Sequence, residues 1–174
     1  MSEDGTSSDD PWRACYAALA PKLLLFARQW VLNRADAEDV VQAAFVRFWR
    51  KQPDAEPAHY PLLYAAVRTI ALDHLRSQDR RLHREDAYYV EEARGGQVFT
   101  FNPDQAETAE HVQAALEHLP PEQRETLVLR IWGELTFAEI ATTVGESINT
   151  VASRYRYGLQ ALRKHLKPQE YERV

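Results

Sequence analysis

Residues 137–156 read FAEIATTVGESINTVASRYR, and the spacing within this stretch decides the fold. Ile140, Val144 and Val151 recur as apolar anchors, Ala141 and Gly145 are small and four apart, and Gly145, Glu146 and Ser147 supply a short turn. That is the pattern of a helix-turn-helix, with small residues expected where two helices cross closely. Downstream, Ile148, Val151, Tyr155, Leu159, Leu162 and Leu166 fall three or four apart, so they are expected to form the buried stripe of a last helix. Asn149, Thr150, Ala152, Ser153, Arg154, Arg156 and Tyr157 lie off that stripe. Short amides and hydroxyls near a helix start, followed by arginines one turn on, suit base edges and flanking phosphates. The plainer alternative is a capped surface helix with Ser147 or Asn149 as its N-cap.

Working outward, the same period recurs and β-branched alternation is absent, so strands are not expected. Trp12, Tyr16, Leu19 and Leu23 begin one stripe, continued by Leu24, Ala27 and Val31, with Pro21 expected to start or kink a helix. Asp36 opens a second helix in which Val41, Phe45 and Phe48 turn inward, and KQPDAEPAHYP after it, with three prolines, reads as a loop. Leu62 to Arg80 is a third helix, with Leu63, Val67, Ile70 and His74 on one stripe. The period dissolves between about Glu85 and Gln105, and resumes in Thr108 to Leu119 and Glu122 to Trp132, separated by Pro120 and Pro121. The expected fold is all-α: two small helical domains, the C-terminal one a helix-turn-helix, joined by an acidic flexible linker. The expected division is a disordered acidic start at 1–10, a first domain at 11–84, a linker at 85–107, a second domain at 108–167 and a tail at 168–174.

Charge sharpens this division. The net charge is −5, which by itself disfavours a nucleic-acid binder, but its distribution is uneven. Residues 68–84 carry five Arg against two Asp, and residues 147–167 carry five Lys or Arg and no acid, while 85–110 hold seven acids against Arg94. Two basic islands flanking an acidic strip match an electrostatic footprint of phosphate contacts, although any single run also suits a solvated helix face. No apolar run approaches the ~20 residues of a spanning helix, and the opening MSEDGTSSDD is no secretory signal. A cytoplasmic protein without membrane insertion is therefore expected. The lone Cys15 permits no internal disulfide and reads as a small buried hydrophobe.

The segment LEHLPPEQRETLVLRIWGELTFAEIATTVGESINTVASRYRYGLQALRKHL resembles the C-terminal domain of bacterial sigma factors, which reads the minus-thirty-five promoter element. Its LPPEQRE opening, FAEIA helix and NTVASR stretch match in order. Upstream, YAALAPKLLLFARQWVLNRADAEDVVQAAFVRFWRK and LLYAAVRTIALDHLRSQDRR are similar to the other conserved domain of the small, two-domain extracytoplasmic function (ECF) sigma factors. The resemblance covers residues 12–84 and 112–166 and implies an RNA polymerase sigma factor that binds core RNA polymerase, recognises promoter DNA and promotes its melting. It implies that Asp39 and Gln42, in AEDVVQAAF, face the polymerase; Ala43 stands where many members carry an acid. It implies that RTIALDHLRSQDRR grips the melted minus-ten strand. There Arg68, Arg76, Arg80 and Arg81 are phosphate candidates, and Thr69, Asp73 and a turn at Leu75 to Asp79 are candidates for a base pocket. Thr69 replaces the family's Asn, Leu62 a common Trp and His59 a common Phe. Asn149, Thr150, Ser153, Arg154, Arg156 and Tyr157 are the implied minus-thirty-five contacts; Ala152 replaces a frequent Lys, and Glu146 stands at a usually apolar turn position, where it would repel a phosphate or accept from a cytosine amino group. The family's linker threads towards cation-lined polymerase channels, a task the acidic strip suits as well as it suits a plain tether.

Walker-type, nucleophile-elbow and zincin motifs are absent from the sequence. Glu107, His111 and His118 have helix-face spacing for a metal, but their charged, solvated helix lacks the supporting shell such a site needs. Neither catalysis, a metal nor a cofactor is expected. The expected partners are core RNA polymerase and promoter DNA, with the chain monomeric on the polymerase. Family members are often held by an anti-sigma factor, which nothing in this sequence identifies. The rival readings are a freestanding helix-turn-helix transcriptional regulator, which would be a dimer on a palindromic operator, and a decoy that only sequesters a regulator.

Overall fold

The computed structural model describes residues 11–54, 56–82 and 106–166. The expected acidic start at 1–10, the linker apart from its last two residues, and the tail at 168–174 lie outside the described residues. Among the described residues there are seven α-helices and no strand: α1 (Pro11–Ala27), α2 (Arg34–Lys51), α3 (Tyr60–Leu82), α4 (Ala106–Glu117), α5 (Pro121–Ile131), α6 (Phe137–Val144) and α7 (Ile148–Leu166). A short 3-10 turn, Pro57–His59, leads into α3. No helix among the described residues is long and apolar enough to cross a membrane.

Helices α1 to α3 pack on one another in every pairing. Leu23, Phe26, Val41, Phe45, Leu63 and Val67 fill their centre, all essentially inaccessible. Each belongs to an apolar stripe of its helix, the period that lets three rods share one dry seam. Pro21 lies inside α1, not at its start. Asn33 caps α2, its side chain accepting the Ala35 N–H at 2.8 Å, so that helix begins two residues before Asp36. Tyr64 is the one large polar ring buried here. It meets Phe26 edge to face at 5.6 Å, and its hydroxyl finds no hydrogen-bond partner. Burial above all, with the Glu134 charge adding to it, pushes its phenol well up. Since an unpaired buried hydroxyl costs free energy and the ring contacts are retained without it, Tyr64→Phe is expected to stabilise the fold by ~1 kcal/mol. Differential scanning calorimetry should show a midpoint raised by roughly 2–4 °C.

In the second group, α7 runs against α4, α5 and α6. Pro121 sits at the first position of α5, where its missing N–H is no loss. Thr136 and Glu139 form a capping box that starts α6, Thr136 Oγ1 accepting from Glu139 N at 3.2 Å and Glu139 Oε2 accepting from Thr136 N at 2.7 Å. Gly145 ends α6 with φ of +75°, a left-handed conformation that a side chain disfavours. A Cβ there would meet nothing within 4 Å. Gly145 therefore serves the turn rather than the close helix crossing expected of it.

The close crossing is at Gly158 of α7, where an added Cβ would come within 3.2 Å of both Gln123 Cβ and Leu127 Cδ1 on α5. Gly158→Leu should overpack that crossing and cost roughly 1–3 kcal/mol, read as an earlier urea midpoint with an unchanged slope. The α7 stripe is also narrower than its period implies. Val151 and Leu162 are buried, whereas Ile148 at 52% and Leu166 at 40% exposure sit at the two ends of the helix. The two groups touch as well: α3 lies against α6, and α1 against α5.

Candidate nucleic-acid and polymerase interfaces

Along α2, Asp39, Gln42, Ala43 and Val46 recur at helical spacing on the face turned away from the buried residues Val40, Val41, Ala44, Phe45 and Phe48. All four are exposed, Val46 at 47%. With Arg47 and Arg50 they line a shallow depression. An exposed acid and amide around an apolar centre, rimmed by cations, is a surface suited to contact with another protein. Among the described residues, neither Asp39 nor Gln42 has an ion-pair or side-chain hydrogen-bond partner, whereas Glu38 next to them is held by Arg34 at 2.8 Å.

On α3, Thr69, Asp73, Arg76 and Arg80 are exposed and follow one face at spacings of four, three and four. Arg81 is exposed too. Asp73 accepts from Arg76 at 3.1 Å, an exposed pair that a phosphate competes with easily. The expected turn at Leu75 to Asp79 is not one: α3 runs unbroken to Leu82. No Gly or Pro interrupts RSQDRRL, so the backbone ladder simply continues. Thr69 also lines a groove with Arg47, Phe48, Lys51, Gln52 and Leu62. That groove has an aromatic and aliphatic floor and two cations at its rim, the combination that takes an unstacked base on its backbone. Sequence reasoning missed Arg47 and Lys51, which sit on a different helix from the motif. Thr69 Oγ1 gives its proton to Ala65 O at 2.9 Å, leaving its lone pairs free. His59 has a structural task beside this groove: its Nδ1 accepts the Glu56 N–H at 3.0 Å and closes the turn before α3.

In the helix-turn-helix, Ser147 is the N-cap, its Oγ accepting the Thr150 N–H at 3.1 Å and lying 2.8 Å from Thr150 Oγ1. Thr150 is thereby partly committed, while Asn149 one residue earlier is exposed. Ser153 and Arg154 are half-buried, and Arg156 and Tyr157 are exposed. The Arg156 guanidinium lies over the Tyr157 ring at 5.0 Å. Arg154 donates to Glu146 at 2.8 Å, so the unusual acid of the turn is not loose but holds a recognition-helix cation. His118 donates from Nδ1 to Ala114 O at 2.7 Å and faces the His165 ring at 4.9 Å, while His111 is exposed. No group of three His, Cys, Asp or Glu placed to hold a metal occurs among the described residues.

Arg68 stands apart from the other minus-ten candidates. It reaches across to α5 and donates to Glu125 at 2.6 Å. Glu125 is a buried carboxylate. Burial pushes it above the usual carboxylate range, while the Arg68 hydrogen bond and the charges of Arg68 and then Arg154 pull it back. Arg68, Glu125, Arg154 and Glu146 therefore form one alternating-charge cluster joining the two groups of helices. A second cross-pair, Lys22 to Glu134 at 2.9 Å, ties α1 to the turn after α5.

Two family models match the two groups of helices in order, Sigma-70 region 2 over residues 15–81 and Sigma-70 region 4 over residues 115–164. RNA polymerase sigma factor CarQ of Myxococcus xanthus is 30% identical over 172 residues, covering 95% of this chain and 94% of its own. The ECF RNA polymerase sigma factor SigE of Mycolicibacterium smegmatis is 31% identical over 140 residues, covering 77% of this chain and 53% of that relative, so the chain spans about half of SigE. The ECF RNA polymerase sigma factor EcfG of Rhodopseudomonas palustris is 31% identical over 149 residues, covering 83% of this chain and 79% of its own. The chain belongs to the ECF RNA polymerase sigma factors. Its fold agrees with that of the sigma factor RpoE from Bartonella quintana, solved in complex with the anti-sigma factor NepR, at a TM-score of 0.73 and 22% identity over 92% of this chain and 99% of that one. For an ECF sigma factor, the two exposed basic faces and the α2 surface have distinct tasks to serve.

Proposed function

We propose that this sigma factor docks on core RNA polymerase through the α2 face centred on Asp39, Gln42 and Val46. It then grips the melted minus-ten strand with α3 and reads the minus-thirty-five element with Asn149, Arg154, Arg156 and Tyr157. The observation that carries the reading is the separation of three exposed polar surfaces on one small helical chain: an acid and amide on α2, a cationic stripe on α3, and amides, hydroxyls and arginines on α7. An enzyme needs a convergent site of perturbed groups; this chain offers divergent surfaces, so it initiates transcription by positioning and is no enzyme by itself. It works in the cytoplasm, where its polymerase and DNA are, and as a monomer on the polymerase. RpoE of Bartonella quintana is held by an anti-sigma factor, and an anti-sigma factor is a fitting regulator here too.

The proposed two-part division, 11–84 for docking and the minus-ten element and 108–167 for the minus-thirty-five element, is supported by how the exposed polar faces fall on the helices. Affinity capture of core polymerase by the tagged chain tests the reading: a stable complex is expected. A chain that instead dimerises and binds a palindromic duplex without polymerase would favour the freestanding regulator.

A further inference from the structure

Resting on that reading and deepening it, we infer that Glu146 is a specificity-determining positioning residue: it holds the Arg154 guanidinium over the start of α7, where Arg154 reads a guanine edge instead of gripping a backbone phosphate. The acid is presented from a fixed place. Gly145 N and Glu146 N both donate to Ala141 O, at 2.9 and 3.0 Å, and close the end of α6. Ser147 then caps α7 by accepting the Thr150 N–H at 3.1 Å. Glu146 therefore stands between two anchored helix ends, with little backbone freedom left to lose. Thr150 and Arg154 are four apart on one row of α7, and that row, extended one step back, reaches Glu146.

Long helical side chains lean towards the N-terminus of their own helix, and the hydrogen bond from Arg154 Nη2 to Glu146 Oε1 at 2.8 Å holds this one there. The N-terminal part of a recognition helix is the part that meets base edges. Held in that place, the guanidinium keeps further N–H donors in its planar fork, and these match the O6 and N7 acceptors of guanine. The Arg154 side chain is 25% exposed and that of Glu146 39%, so solvent screens the pair only in part. A cation already answered by a carboxylate gains little from a phosphate, which the same acid repels, whereas a neutral base edge meets no such penalty. Arg156 is the contrast. It is exposed, and its guanidinium lies over the Tyr157 ring at 5.0 Å, a contact that leaves its charge to a phosphate.

The test uses holoenzyme assembled from core polymerase and the full chain, and selects active promoters from a library randomised through the minus-thirty-five element. Wild type should enrich a guanine at one position, and Arg154→Ala should erase that enrichment. Glu146→Ala should lower it about fivefold, the bias that a partly exposed ion pair supplies. Glu146→Gln, whose amide oxygen still accepts from Arg154 but carries no charge, should lower it by a smaller factor, and it decides the matter should Glu146→Ala lower the thermal unfolding midpoint. In a chain that already carries Arg154→Ala, neither substitution should change the selected sequences, because the acid acts through the arginine. Variants at Glu146 that shift all sequences alike and leave the guanine preference intact would overturn the inference, leaving an acid that only repels phosphate. So would a change at another position in the Arg154→Ala background, the mark of an acid that itself reads a cytosine amino group, or a wild type that enriches no guanine. A wild-type holoenzyme that starts no transcript from any promoter would overturn the sigma reading, and the inference with it.

Discussion

Reversing the charge at Asp39 in a chain that also carries Gln42→Ala is expected to weaken the complex with core polymerase by roughly 2–4 kcal/mol, the scale for losing one side of a desolvated charge-assisted contact and leaving its partner unpaired. That is at least about a 30-fold rise in dissociation constant, measurable by titrating labelled sigma factor into core enzyme. Both side chains are exposed on a helix whose opposite face holds Val41, Phe45 and Phe48, so the fold does not depend on them. Thermal unfolding of the variant should match wild type within ~0.5 kcal/mol. Retained affinity in a folded variant would remove Asp39 and Gln42 from the docking surface. Because Ala43 leaves the acid at this face to Asp39, the loss should not be buffered by a neighbouring carboxylate.

Removing the amide of Asn149 should act differently. Asn149 lies exposed on the first turn of α7, beside the Ser147 cap but not part of it. A side chain that reads a base edge contributes roughly 1–3 kcal/mol of discrimination at one base pair. Asn149→Ala is therefore expected to lower initiation about 10- to 100-fold at the preferred promoter and to flatten preference at a single minus-thirty-five position. Arg156→Ala, a phosphate contact by contrast, should weaken all promoters alike and reduce the slope of log affinity against log salt by about one. Selection from randomised minus-thirty-five sequences separates the two. If Asn149→Ala behaves like Arg156→Ala, α7 meets the duplex in a different rotation from the one its exposed face implies.

Most of the architecture was legible because it is local. The apolar periods of α1 to α3 and the proline punctuation before α5 each specify a helix or its start within a few residues. Where local signals were misread, the physics is equally local. Leu75 to Asp79 has no breaker and continues α3, and Gly145 carries a positive φ instead of a helix crossing. Ile148 and Leu166 keep the apolar period but extend beyond the helices that bury Val151 and Leu162. Gly158 was passed over because a glycine within a helix has no sequence mark until the neighbouring helix is placed 3.2 Å from its missing Cβ.

The sites divide in the same way. The exposed face of α7 follows from which residues its buried stripe leaves over, whereas Asp39 and Gln42 on α2 are implied by the family resemblance alone. Arg68 to Glu125 could not be read, since a pair 57 residues apart has no periodic signature, and Arg68 looked no different from Arg76 or Arg80 in the sequence. Arg47 and Lys51 join the Thr69 groove only because α2 and α3 pack side by side.

The central claim is that these divergent surfaces become one promoter-reading device on the polymerase. Transcription reconstituted from core polymerase, the full chain and genomic fragments tests it most directly, with start sites mapped. Defined starts that require the chain and vanish with the Asp39 and Gln42 substitutions are the predicted result. A chain that binds core polymerase yet yields no start beyond core enzyme alone would contradict it.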